Sequence, residues 1–487
     1  MAMRPRIELI SEDLILRILD EAFQLLLSPG IRVQSKGVRD LLADNGASAL
    51  GDSEIVQIPE QLGRWAINSA PSEFWLYDRE GQPAVRYGGD AVHFNPGSSG
   101  VNVLDPDTLE HRPAVTADLV KLIKVTEQLS QYDAQSTAVI CHDVPEELGD
   151  LYRLYLVLLY SAKPVVTGAF TKQGAHRMFE MLALIAGGSR AMQTRPLAVF
   201  DVCPTPPLVW SEFGAQNLAD LARAGLPAQI VSMPLAGAAA PVTLLGSVVQ
   251  HAAECISGIT IHQLAQPGSP IVWGGAPAIF DMRHGTTPMG AIETAMLDAA
   301  YAQVGKFLNL PTHAYLGASD AKSVDAQAGL ESGLTAQVGA LAGINMISGP
   351  GMLDFLACQS VEKLVLDGEA IAMIRRLLEG IEVRTDPLAT NMYPEFKFKA
   401  DFLKQKSTRE LFAVEQYLPS KVIDRNSHRA WRESGGLDAF DRAKVMVSEV
   451  VDKFVKPSIA KEQASELTKM MTRIAEVAGM ADLPELS

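Results

Sequence analysis

The chain has 487 residues, a formal charge of −15 and 47% hydrophobic residues, which excludes a disordered tail or a nucleic-acid-binding arm. At about 100–200 residues per domain the length holds two or three domains, or one large α/β barrel with additions at its ends. Acidic side chains outnumber basic ones 57 to 42; that balance disfavours nucleic acid and anionic membranes as partners and suits a neutral or cationic ligand.

Residues 1–95 read as a mixed cap. Helical spacing over 7–27 stops at Ser28-Pro29-Gly30, a second helix covers Lys36–Asp44, and a third over 59–69 starts with proline in its first turn. Short strands follow at Phe74–Tyr77 and 84–87. From residue 96 to 360 an apolar run of strand length alternates with a longer segment of helical period. The predicted strands are 100–104, 137–141, 164–168, 197–202, 228–232, 270–273, 313–316 and 344–347, with helices near 117–130, 147–161, 173–186, 213–224, 242–265, 290–308 and 326–341. Eight such units predict a (β/α)8 TIM barrel, an α/β fold with the N-terminal α+β cap in front. Residues 361–487 read as a C-terminal helical extension opening with a helix over 361–379 and interrupted at Asp386-Pro387, Tyr393-Pro394 and Gly435-Gly436.

Between Ala224 and Phe280 the only charged side chain is Glu254. Pro227, Pro234, Pro241, Pro267 and Pro270 cut this tract into pieces shorter than the ~20 apolar residues a bilayer span needs, so it is expected inside a large core or an oligomer interface. Glu8, Glu12 and Asp13 interrupt the N-terminus where a secretory signal would need an apolar run. Four scattered cysteines, Cys141, Cys203, Cys255 and Cys358, make no disulfide framework and no CxxC pair, which suits a reducing cytoplasm.

Familiar catalytic signatures are missing: no HExxH, GxSxG or GxGxxG occurs. The stretch Gly317-Ala318-Ser319-Asp320-Ala321-Lys322-Ser323 has alanine where a phosphate loop needs glycine before lysine, which argues against a nucleotide. His251, Cys255 and His262 share one helix face but lack an evident fourth ligand, so core packing is expected rather than a metal.

A barrel places its chemistry at the C-terminal ends of its strands. There the sequence offers Asn102 and Asp105, His142 and Asp143, Thr167 and Phe170, Asp201 and Cys203, Ser232 and Met233, Trp273, Tyr315, Ser319, Asp320 and Lys322, and Ser348. Acidic and aromatic side chains together suit an ammonium ligand, because a cation over an aromatic face gains about 0.5–2 kcal/mol.

Asp107-Thr108-Leu109-Glu110-His111-Arg112-Pro113-Ala114 leading to Asp118, Gly317 to Lys322 followed by Asp325-Ala326-Gln327-Ala328-Gly329 and Glu331, and Leu364-Val365-Leu366-Asp367 resemble the trimethylamine methyltransferase family over nearly the whole chain. The resemblance implies a barrel enzyme that moves a methyl group from a methylated amine to the cobalt of a corrinoid supplied in trans by a separate protein, and a homo-oligomer. The family's archetype carries pyrrolysine, whereas this sequence has only standard residues, like members that demethylate quaternary amines such as glycine betaine. A quaternary nitrogen leaves as a neutral amine, so positioning and desolvation suffice. By position, Asp201, Asp320 and Glu331 are the candidate catalytic residues. Asn102, His142, Phe170, Trp273, Tyr315 and Lys322 are the candidate substrate-binding residues, with Lys322 or Arg283 for a substrate carboxylate. The alternatives are a lyase or aldolase using Lys322 as a Schiff-base or acid/base residue, and a barrel that binds betaine without turnover.

Overall fold

In the computed structural model, which describes residues 3–49, 53–170, 172–393 and 402–485, eight short strands build the central sheet. They are β1 (His93–Asn95), β2 (Gln135–Ser136), β3 (Val165–Gly168), β4 (Ala198–Val202), β5 (Ala228–Ile230), β6 (Ile271–Gly275), β7 (Thr312–Ala314) and β8 (Met346–Ser348). Successive strands from β2 to β8 pair in parallel, and β8 pairs in parallel with β1. Across the remaining seam, the Asp133 N–H donates to the Phe94 carbonyl at 2.9 Å, and Gly100 forms a parallel bridge with Val139. The sheet therefore closes into a (β/α)8 barrel.

The first two strands lie elsewhere than the apolar pattern predicts. Residues 102–104 belong to a small sheet at the mouth, antiparallel to His111–Pro113 and parallel to Cys358–Gln359. The true β1 carries His93 and Asn95 and β2 is Gln135–Ser136, too polar and too short to stand out as apolar runs.

Side chains alternate across the barrel wall. Val166, Val199, Val272 and Met346 form one buried cluster with Phe74, Leu76, Val85 and Tyr87, so the hairpin Phe74–Tyr77/Pro83–Tyr87 plugs the N-terminal end of the barrel. Phe200, Ile230, Trp273 and Ile347 point the other way, into the main core under the helices. A helix follows each strand: Thr116–Gln128, Gly149–Tyr160, Lys172–Ala186, Glu212–Ala224, Leu244–Ala265, Ile292–Phe307, Ala326–Leu341 and Val361–Leu378. Ser211, Asp325 and Ser360 cap three of them by accepting backbone N–H groups of the first turn. From the sequence, residues 361–379 head the C-terminal extension; in the structure Val361–Leu378 packs against Ala326–Leu341 and Thr116–Gln128 and completes the ring. The helices Ala439–Asp452 and Lys461–Val477 then pack on its outside. Of the interruptions expected in that region, Pro394 lies outside the described residues.

The uncharged tract becomes the helix Leu244–Ala265, long and apolar enough to cross a membrane by composition but buried along most of its length. It is sandwiched between the barrel and the helices Glu12–Leu27 and Glu60–Ser69. Its one carboxylate, Glu254, accepts from the Leu208 N–H, Ser232 Oγ and Gln250 Nε2, and burial raises its pKa. Close approach needs Gly258: a Cβ there would sit 2.7 Å from both Ile230 Cδ1 and Trp210 Cζ2. Gly258→Val is therefore expected to destabilise the fold by about 1–3 kcal/mol through overpacking, read as a lowered urea midpoint and Tm, whereas Gly329→Ala, in an exposed helical turn where nothing lies within 4 Å, is expected to raise both midpoints slightly, since alanine is the better helix former.

Candidate active site

At the C-terminal end of β4 the Asp201 side chain turns into the barrel mouth. Gln229 of β5 donates from Nε2 to Asp201 Oδ1 at 2.6 Å, and the Tyr315 hydroxyl, just past β7, donates to Oδ2 at 2.9 Å. Gln229 is held in this orientation because the Tyr87 hydroxyl, on the plugging hairpin, donates to its Oε1 at 3.1 Å. With its proton committed to Asp201, Tyr315 accepts from Ser98 Oγ at 2.7 Å. Burial pushes the Asp201 carboxyl up to about 7, against the lowering effect of its Tyr315 and Gln229 hydrogen bonds. Below this layer His313 meets the Tyr315 ring edge-on at 5.1 Å and bonds Ser348 Oγ at 3.1 Å; burial lowers its pKa to about 3, so it is neutral.

Phe170 and Arg153 form the adjoining wall. Gly168 pairs with Asp201, and a Cβ on Gly168 would lie 3.8 Å from Asp201 Cβ and 3.9 Å from Phe170 Cζ, which brings the Phe170 ring edge beside the carboxylate. The other face of this wall is the Arg153 guanidinium, 5.3 Å from the Phe170 ring centroid. Arg153 Nη1 donates to Ser99 Oγ at 3.1 Å and to the Thr137 carbonyl at 3.0 Å, and Nε donates to the Gly149 carbonyl at 3.1 Å. Phe170 is 53% exposed and so remains available to a ligand, while Arg153 is 1% exposed.

Of the candidate catalytic and substrate-binding residues, Asp201, Tyr315 and Phe170 converge here; the others lie apart from this cluster. Trp273 is fully buried outside the barrel wall, donating from Nε1 to the Tyr301 carbonyl at 3.0 Å; it sits one residue out of register with the inward-facing positions Val272 and Gly274 of β6. Asp320 accepts from the Met289 and Gly290 N–H groups at 2.7 and 3.1 Å, and burial raises it to about 6. Glu331 accepts from Ser319 Oγ, the Asp320 N–H and Gln327 Nε2. Together these two carboxylates clasp the loops that follow β6 and β7.

Lys322 Nζ donates to the Asp320 carbonyl at 2.6 Å, lies 3.4 Å from Asp354 Oδ1 and sits 3.8 Å from the Phe355 ring centroid. Asp354, Phe355 and Leu356 all have positive φ, from 50 to 70°, a strained run that presses Leu356 onto the Tyr315 cluster. His142 binds the Ala114 carbonyl through both its backbone N–H and Nδ1, and Asp143 accepts from the Thr116 N–H, so this pair holds the head of Thr116–Gln128. Asn102 lies in the mouth sheet, and the exposed Arg283 pairs with Asp281. His251 stacks on Tyr301 at 4.0 Å, and His251 and Cys255 both bond the Gly274 carbonyl; among the described residues no three potential ligands gather as a metal site.

Gln229, Ser98, Tyr87 and Arg153 escape a search of strand ends for acids and aromatics. Arg153 did carry a signal, as the single cation in an otherwise apolar helical run from Leu151 to Leu159. Between about pH 4 and 7 the folded chain keeps a proton on Asp201 that the unfolded chain has released, so this group's contribution to stability falls as pH rises through that window. Asp201→Asn is accordingly expected to shrink the loss of Tm between pH 5 and pH 8, measured by differential scanning calorimetry, leaving the part due to the other carboxyls that burial raises, Asp320 and Glu254 among them.

The whole architecture has known counterparts. The family model described as trimethylamine methyltransferase matches residues 1–478. A trimethylamine methyltransferase of Desulfitobacterium hafniense is 28% identical over 97% of this chain and 95% of its own length; one of Methanosarcina thermophila is 30% identical over 88% and 89%. A glycine betaine methyltransferase of Desulfitobacterium hafniense is 27% identical over 98% of both chains. Among solved structures, the monomethylamine methyltransferase of Methanosarcina barkeri shares the fold, with a TM-score of 0.54 at 14% identity over 92% of this chain and 89% of that one. With the match running through cap, barrel and most of the C-terminal helices, the chain belongs to the trimethylamine methyltransferase family.

Proposed function

We propose that this enzyme removes a methyl group from a quaternary amine of the glycine betaine type and transfers it to the cobalt of a corrinoid presented by a separate protein at the barrel mouth. The observation that carries the reading is the half-buried Asp201 carboxylate flanked by the Tyr315 and Phe170 rings. A cation beside Asp201 favours its ionised form, and that charge with the exposed Phe170 ring in a partly desolvated mouth selects an ammonium ion that cannot shed its own charge. The corrinoid enters as co-substrate and supplies a strongly nucleophilic metal centre. What the chain must do is hold the cation with one N–CH3 bond directed outward and exclude water. No proton donor is required, since the nitrogen departs as a neutral tertiary amine, and no side chain here is needed as one.

The hydrogen bonds from Tyr315 and Gln229 spread the Asp201 charge, so the carboxylate holds the cation without gripping the product. Asp320 and Glu331, in this reading, position the surrounding loops. Around the opening, Val101, Leu109 and Met233 are exposed apolar side chains that suit a docked partner carrying a flat macrocycle. The acidic composition and scattered cysteines support a cytoplasmic enzyme, and exposed Leu330 and Leu334 on one face of Ala326–Leu341 support a homo-oligomer.

Mixing the protein with cob(I)alamin and a panel of methylated amines, and following methylcobalamin spectrally, is expected to give turnover with quaternary amines and none with trimethylamine. Activity confined to trimethylamine would overturn the substrate assignment. Asp201→Asn is expected to lower kcat/KM about tenfold or more, because an interaction with a charged partner is worth about 1.5–3 kcal/mol.

A further inference from the structure

We infer that Arg153 is a specificity-determining residue, its guanidinium receiving the carboxylate of the betaine-type substrate. This inference rests on the quaternary-amine reading of the same site and specifies the other end of the ligand.

Three observations meet at this residue. First, Arg153 is 1% exposed, yet no carboxylate of the described residues lies within ion-pair distance of its guanidinium. The nearest acid, Asp150, spends its oxygens on the Leu151 and Phe170 N–H groups. Asp150 acts on the guanidinium only from beyond contact distance; a buried guanidinium with no contacting counter-ion is costly, and a ligand carboxylate reduces that cost. Second, two of its nitrogens are fixed by Gly149, Ser99 and Thr137 while Nη2 makes no hydrogen bond among the described residues. The fork is held rigidly with one donor nitrogen free, the arrangement suited to a planar anion.

Third, the guanidinium stands in the same wall as the cation site. Ser99, which binds Arg153, is the neighbour of Ser98, which binds Tyr315, which in turn binds Asp201. The Phe170 ring has Arg153 on one side and reaches toward Asp201 on the other. A positive and a negative protein charge on either side of one ring suit a ligand that carries an ammonium at one end and a carboxylate at the other. Lys322 and Arg283, the cations suggested by position in the sequence, are instead paired with Asp354 and Asp281.

The test uses the intact protein and the probes N,N,N-trimethylglycine, its methyl ester and choline, with affinities measured by calorimetry and turnover by methylcobalamin formation. The wild type is expected to bind trimethylglycine at least tenfold more tightly than either uncharged-tail analogue. Arg153→Gln is expected to erase that difference, and Arg153→Lys to restore part of it. Equal affinity of the wild type for all three probes would overturn the assignment of Arg153 and leave the quaternary-amine reading standing. Binding of none of them would overturn both. Should Arg153→Gln fail to fold, Arg153→Lys, which keeps the buried charge, decides the matter: a preference for trimethylglycine undiminished from the wild type would overturn the assignment.

Discussion

Side-chain alternation in a closed barrel is the constraint from which this site follows. Each strand sends every second residue inward, so one position's parity decides whether a group faces the mouth or the helices. Asp201 and Gln229 have the inward parity on adjacent strands and meet. Trp273 has the outward parity and packs against the helix Ile292–Phe307 instead, where its indole N–H finds the Tyr301 carbonyl. Glycine at 168, in register with Asp201, leaves the space beside the carboxylate open on the neighbouring strand.

The barrel is also a route by which its closed end supports its open one. The hairpin that plugs the bottom contributes the stacked pair Phe74 and Tyr87, with ring centroids 4.8 Å apart, and the Tyr87 hydroxyl reaches up to Gln229. An amide can present either its oxygen or its nitrogen; a donor fixed at the oxygen forces the nitrogen toward Asp201. The N-terminal cap thus does more than cover apolar strand ends, because it fixes the hydrogen bond that orients the carboxylate.

Polar groups elsewhere at the mouth are committed to holding loops. Arg112 binds Asp118 through two nitrogens at 2.7 and 2.8 Å, Asp320 and Glu331 clasp two loops, and Lys322 is tied to Asp354 and the Asp320 carbonyl. The stretches that carry the family resemblance, 107–118 and 317–331, are therefore largely the fixed frame of the mouth. Within this frame the described groups that stay open to a ligand are few: the Phe170 face and the half-buried Asp201, with Arg153 buried behind the ring.

The sequence by itself determined the alternation of strands and helices, because burial on both faces leaves continuous apolar runs such as 197–202 and 270–273, and amphipathic or capped helices such as Lys36–Asp44 announce their own ends. It also determined family membership and the presence of Asp201, Tyr315 and Phe170 at strand ends. It did not reveal β1 and β2, whose inward polar residues conceal them, nor which end-of-strand residues meet. Only the tertiary structure decided those, since inward parity, the Tyr87–Gln229–Asp201 relay and the placing of Arg153 from a helix onto the mouth depend on contacts between segments from 28 to 142 residues apart, distances over which local patterning carries no information.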